Sequence, residues 1–312
     1  MAERGIGETR YVLLDGDRIL AARIAPDDML AAGSVVPARL KTVSPRPLAL
    51  LASGEEVLLT ARPAGVSEGS SFQLEITRPA LPGPEPWKRA LGRPASGERS
   101  PDAFAAADLP FPPHGADLLE QAGWSDLLSE AQEGRVPFGG GELLLALTPA
   151  MTVIDVDGWL PPTDLALVGA AAAGAAIRRL DLQGSIGIDL PSVTGKAART
   201  AAGEALDRAL AGEPFERTTV NGFGFLQVVR PRRRPSLLEL AHDEPSFGAR
   251  ALLRRAALDG HGSARLAVHP RVAAVLEGRP EWLQQLGRQR GGTISLRADP
   301  RLGMGGGHVE PA

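Results

Sequence analysis

The chain has 312 residues, a net charge of −3, 43% hydrophobic and 23% charged residues, and no cysteine. That length supports two or three compact units, and the lack of cysteine excludes disulfides and thiolate metal sites. A mildly acidic chain has no global pull toward nucleic acid, so any such binding must come from local clusters.

The opening MAERGIGETR is charged and lacks the apolar stretch of a signal peptide. No run approaches the roughly 20 apolar residues of a membrane span. A cytoplasmic protein without membrane contact is expected.

In chain order, RYVLLDGDRILAARIA places two apolar runs around Asp15-Gly16-Asp17, which predicts a hairpin. SVVPARLKTV, LALLASGEEVLLTARP and SSFQLEITRP follow as short strands separated by Gly, Ser and Pro. Residues 1–80 therefore read as a β-rich, mostly antiparallel, barrel-like unit. Residues 81–141 read as a proline-rich linker (PALPGPEPW, DLPFPPHG) and then a helix, DLLEQAGWSDLLSEAQEG.

From residue 142 the pattern becomes α/β. ELLLALTPAMTVIDVDG predicts two strands split at Thr148-Pro149. A helix follows, with Thr163 or Asp164 as N-cap and Gly184 past its end. SIGIDL reads as a buried strand, GKAARTAAGEALDRALAG as a second helix, and ERTTVNGFGFLQVVR as a returning strand. This alternation predicts a layered sheet with packed helices over 142–240. Residues 241–312 read as a small α+β appendage whose end, LGMGGGHVEPA, is expected to fray.

Three carboxylates draw attention. Asp155 follows the apolar run Met151–Ile154, and Asp157 falls on the same face of a strand, about 7 Å further on. Asp189 ends the second apolar strand. Neighbouring strands ending in Asp at one sheet edge would bring hard oxygen ligands together, as Mg²⁺ or Mn²⁺ requires. An Asp at a strand end is also a common turn or N-cap residue, and the residues alone leave both readings open.

A basic run, Arg230, Arg232, Arg233 and Arg234, follows two aromatic residues, Phe223 and Phe225. It suits an RNA grip in which arginines reach phosphates and rings stack on bases. The competing reading is a solvated loop between Pro231 and Pro235, with both phenylalanines in the core. Two other motifs are set aside. SVTGKA lacks the glycine and hydroxyl positions of a phosphate-binding loop. His242-Asp243-Glu244 are adjacent and cannot converge on one ion.

The segments ALTPAMTVIDVDG, LDLQGSIGIDLPSV and GFGFLQVVRPRRRPSLLE, in this order with helices between them, resemble the catalytic core of the ribonuclease E/G family. The resemblance is best over 142–240 and weaker over GETRYVLLDGDRILAARI and PEPWKRALGRP. It implies an α/β catalytic core preceded by a reduced OB-like insert at about 30–80. It implies a Mg²⁺-dependent endonuclease that cuts single-stranded RNA to leave 5′-phosphates, with Asp155 and Asp189 holding the metal and Asp157 supporting it. Arg230 and Arg232 fall on the family's own arginine pair. Gly222 stands where the family has Arg, and Gln227 where it has Glu. The family's zinc link is absent, so no zinc is expected and any homo-oligomer would form without one. No 5′-end sensor is readable. The alternative function is a non-catalytic RNA-binding protein derived from such a nuclease; a protein-binding scaffold is a third.

Overall fold

The computed structural model describes residues 1–83, 88–95, 107–112 and 115–312. These form a mixed α/β protein with several sheets, eight helices and a small closed five-stranded barrel. Parts of the proline-rich stretch read as a linker, residues 84–87, 96–106 and 113–114, lie outside the described residues.

Strands β1 (Ala2–Arg4), β2 (Glu8–Asp15) and β3 (Arg18–Pro26) pair antiparallel, with β2 and β3 joined at the expected Asp15-Gly16-Asp17 turn. The barrel consists of β4 (Val35–Thr42), β5 (Leu48–Leu51), β6 (Glu56–Leu59), β7 (Ser71–Arg78) and β8 (Ala90–Pro94). It closes in the order β4-β5-β6-β8-β7, which leaves no exposed strand edge. Alternating residues fill its interior, among them Leu40, Ala49, Val57, Leu74 and Ile76. The closing strand β8 comes from the stretch read as linker. Its inward residues are Ala90 and Gly92, too small to give an apolar period that sequence could show.

After β9 (Asp108–Leu109) come α1 (Leu118–Gln121) and α2 (Trp124–Glu133). The next sheet contains β10 (Arg135–Phe138), β11 (Gly141–Leu147), β12 (Thr152–Gly158), β13 (Gly184–Asp189), β14 (Glu216–Arg217) and β15 (Phe225–Arg230). Helix α3 (Pro162–Arg179) connects β12 to β13, and α4 (Lys196–Ala209) follows β13. The strand order is β10-β11-β12-β13-β15-β14, and β12 and β13 form its parallel pair. Helix α3 starts earlier than expected, with Pro161 at the N-cap and Pro162 in the first turn, where a missing N–H costs nothing.

One face of this sheet is apolar. Leu145, Ile154, Ile188 and Leu226 lie on successive strands, all buried. Helix α3 packs against β10, β11 and β12 and against α4. The opposite face carries the polar residues described below.

The chain ends with α5 (Leu237–His242), α6 (Glu244–Leu258), β16 (Ala264–Val268), α7 (Pro270–Glu277), α8 (Pro280–Arg290), β17 (Ile294–Ala298) and β18 (His308–Pro311). The tail read as frayed instead forms β18, paired antiparallel with β16. Arg297 from β17 holds Glu310 of β18 at 2.6 Å, an anchor that a glycine-rich tail does not announce. Among the described residues no helix is long and apolar enough to cross a membrane.

The chain divides into two compact units. The first is assembled from three segments, Met1–Asp28, Ala106–Gln132 and Leu240–Ala312. Its core joins Ile6 to Leu252, Leu266, Val272, Trp282 and Leu286. Beside that core Arg10, fully buried, donates to Glu8 at 2.7 Å and to Glu3 at 2.6 Å. Arg254 donates to the same Glu3 at 2.9 Å and to Asp117 at 2.7 Å. The ring of Phe111 lies within 6 Å of both guanidinium groups, 5.3 Å from Arg10 and 5.9 Å from Arg254. The second unit, Met29–Ala105 with Glu133–Glu239, holds the barrel and the six-stranded sheet.

Candidate functional site

The site residues follow from strand alternation on the sheet's polar face. In β12 the buried positions are Thr152, Ile154 and Val156, so Val153, Asp155 and Asp157 point the other way. In β13, Ile186 and Ile188 are buried and Asp189 is exposed. The parallel register pairs Asp155 with Asp189 directly. One rung therefore reads Leu144, Asp155, Asp189, Phe225 across four strands.

Asp189 is the last residue of β13, but Asp155 lies in mid-strand, and β12 continues to Gly158. Both acids are exposed. Among the described residues neither side chain has a hydrogen-bond or ion-pair partner. Like charges placed directly opposite each other on adjacent strands repel. Asp157, one turn of the pleat further on, accepts a hydrogen bond from the Gly158 N–H at 2.8 Å. Opposite it on β11 is Glu142, which is paired with Arg135.

Among the described residues, no cluster of three or more His, Asp or Glu side chains is arranged to hold a metal. Two unpartnered carboxylates on one rung nevertheless match the donor set of Mg²⁺, which typically takes one or two carboxylates and fills the rest with water and phosphate oxygens. The fit to a hydrated divalent ion rests on this pair.

No family model and no curated protein matches the chain.

The two phenylalanines have different surroundings. Phe225 is half-buried, and its ring occupies the space above Gly187, where a side chain would come within 2.8 Å of it. Phe223 is 84% exposed. Its loop is pinned: Asn221 Oδ1 accepts from the N–H groups of Phe223 at 2.8 Å and Phe225 at 3.1 Å, and Ser192 Oγ donates to the Phe223 carbonyl at 2.9 Å. Gly224 has φ +94° and sits so close to the Leu190 carbonyl that a Cβ would lie 2.1 Å from it, so this turn requires glycine.

The arginine run is largely built into the fold. Arg230 is buried and donates to the Leu182 carbonyl at 2.7 Å and to Glu213 at 2.5 Å. Arg232 is paired with Glu239, which also caps the turn at Ser236. Arg234 is paired with Asp181. Among the described residues, Arg233 is the member of the run whose side chain is exposed and has no partner. Three of the four arginines are thus held by carboxylates, Glu239 only seven residues from Arg232 and Glu213 and Asp181 17 and 53 residues from Arg230 and Arg234.

Gln227, on the same face, donates to Ser185 Oγ at 2.6 Å. Arg217 on β14 grips Asp207 of α4 through two bonds of 2.6 Å, and this holds the Asp207 carboxyl below the usual carboxylate range. That clamp ties the β14–β15 hairpin, and with it the Phe223 turn, to α4. Asp243 of the set-aside His-Asp-Glu run is the N-cap of α6.

Trp159 is the residue that sequence reading missed. It follows β12 and is 78% exposed. A lone aromatic after a turn belongs to no periodic pattern, so only the structure reveals it.

Proposed function

We propose that this chain is a Mg²⁺-dependent endoribonuclease of the ribonuclease E/G type, acting in the cytoplasm on single-stranded RNA and leaving 5′-phosphate ends. The observation that carries the reading is the Asp155–Asp189 rung: two exposed, unpartnered carboxylates in register on parallel strands. The barrel adds support. Its five strands close in the order first, second, third, fifth, fourth, with third and fifth parallel, the arrangement of OB folds, which commonly bind oligonucleotides.

When bound, the cation supplies charge neutralisation at a phosphodiester and a water acidified toward neutrality. Asp155 and Asp189 would hold it, on one rung of adjacent parallel strands. Asp157, oriented by the Gly158 N–H, extends the acidic face along β12. Arg233 follows the opposite end of β15 from the acids, at least about 17 Å along the sheet, so it is available to a phosphate several nucleotides from the scissile one.

The test is incubation of the purified chain with an end-labelled single-stranded RNA in Mg²⁺, Mn²⁺ or EDTA, beside Asp155→Asn. Metal-dependent cleavage by the parent and none by the variant supports the reading. A second reading, RNA binding without cleavage, is favoured by Gly222 and by Gln227, whose amide is engaged with Ser185. A mobility shift without cleavage in any metal would select it.

A further inference from the structure

We infer that Trp159 is a base-stacking platform that, together with Phe223, brackets the Asp155–Asp189 pair and sets which nucleotides of a single strand lie at the scissile phosphate. The inference rests on the nuclease reading above and adds a substrate contact to it.

The backbone at Trp159 is fixed while its ring is free. Its N–H donates to the Gly140 carbonyl at 3.2 Å. The preceding Gly158 packs so tightly that a Cβ would lie 2.3 Å from the same carbonyl. Leu160, the next residue, fills the space beside Gly140, and Pro161 then caps α3. The chain is thus clamped on both sides of a ring that is 78% exposed. Phe223 shows the same combination of a pinned backbone and an exposed ring.

Both rings sit at one rim of the sheet. Trp159 follows the end of β12, and Phe223 precedes β15, its carbonyl held by Ser192 just past the end of β13. Strands β12 and β15 are two strand spacings apart, roughly 10 Å. Asp157 and Asp189 lie at the strand ends along this rim, and Asp155 lies in mid-strand, on the rung of Asp189.

A protein partner or a second copy seated on both rings would have to bury those carboxylates, at a cost of several kcal/mol per ion without a counter-charge. A single-stranded polynucleotide avoids that cost. Its bases offer flat apolar faces at intervals, and its phosphates share a divalent cation with the acids. A ring held out by a rigid backbone loses little entropy on stacking, which is why such residues serve as platforms.

The test uses the full-length chain with Trp87→Phe, so that Trp159 is the exposed tryptophan beside buried Trp124 and Trp282. It is titrated in Ca²⁺ with a single-stranded RNA octamer and with an abasic octamer of equal charge, and RNA integrity is checked afterwards. The octamer should quench the tryptophan fluorescence. Trp159→Ala should abolish the quench and weaken octamer binding roughly 5- to 150-fold, the range for one stacked base. Abasic binding should be unchanged, and Trp159→Phe should restore most of the octamer affinity.

An equal loss on both octamers, or no loss on either, overturns the inference. So does a Trp159→Ala variant whose sedimentation differs from that of the parent without RNA, which would assign the ring to self-association. The two readings fail separately. Wild-type cleavage with Trp159→Ala binding and cutting like the parent removes the platform and keeps the nuclease. Base-selective weakening in a chain that never cleaves keeps the platform and removes the nuclease.

Discussion

Asp155 and Asp189 face each other across two parallel strands, on the same rung and on the same exposed face. Each is unpartnered among the described residues, so each is free for a cation. Asp155→Asn and Asp189→Asn should each lower Mg²⁺-dependent RNA cleavage by about 100-fold or more. Circular dichroism should be unchanged, since neither side chain packs in the core. Cleavage at the parent rate in either variant would remove the proposed metal role.

The same rung makes a prediction without RNA. In EDTA the two carboxylates repel, so Asp189→Asn should stabilise the chain by about 0.2–1 kcal/mol. Adding Mg²⁺ should raise the thermal midpoint of the parent by mass action and leave that of Asp189→Asn unmoved. Differential scanning fluorimetry across a Mg²⁺ titration reads both effects.

The arginine run should divide by partner. Arg230→Ala leaves Glu213 to Arg178 alone, strips the buried Leu182 carbonyl of its donor, and should cost about 1–3 kcal/mol in urea unfolding. Arg233→Ala should leave stability within about 0.5 kcal/mol, as exposed substitutions usually do. It should, however, reduce the slope of log K against log salt for RNA binding by about 1. If Arg230→Ala weakens RNA binding without unfolding the chain, the assignment of roles is reversed.

The Asp207–Arg217 clamp should show in acid. The folded-state pKa of Asp207 is depressed by its bonds to Arg217, so its contribution to stability is full above the ordinary carboxylate value and is lost as pH falls through the folded value. The difference in thermal midpoint between the parent and Asp207→Asn should be constant near neutrality and shrink below about pH 4. A difference that grows toward low pH would contradict the clamp.

What could be read from the sequence, and what could not, has a physical division. Asp155 and Asp189 were legible because each follows an apolar run, and a strand–helix–strand unit makes such runs parallel neighbours. The direct register between them was not legible, nor was the extension of β12 past Asp155. The arginine run was legible as charge but not as structure. Its partners Asp181 and Glu213 lie 53 and 17 residues away from the arginines they hold. Trp159 gave no signal, because one exposed ring has no period. The last barrel strand gave none either, since its inward positions are Ala90 and Gly92.

The three-segment construction of the first unit has a consequence for how the protein is made. Ile6 leaves the ribosome some 240 residues ahead of its packing partners Leu252 to Leu286, roughly 12–50 s before them at ordinary elongation rates. During that interval Arg10, Glu3 and Glu8 have no Arg254 to complete their network. The opening hairpin must therefore wait, half-built, while the intervening residues 29–105 and 133–239 are already available to fold. A stalled or shortened transcript should yield a protease-resistant fragment from that middle portion with its leading strands digested away.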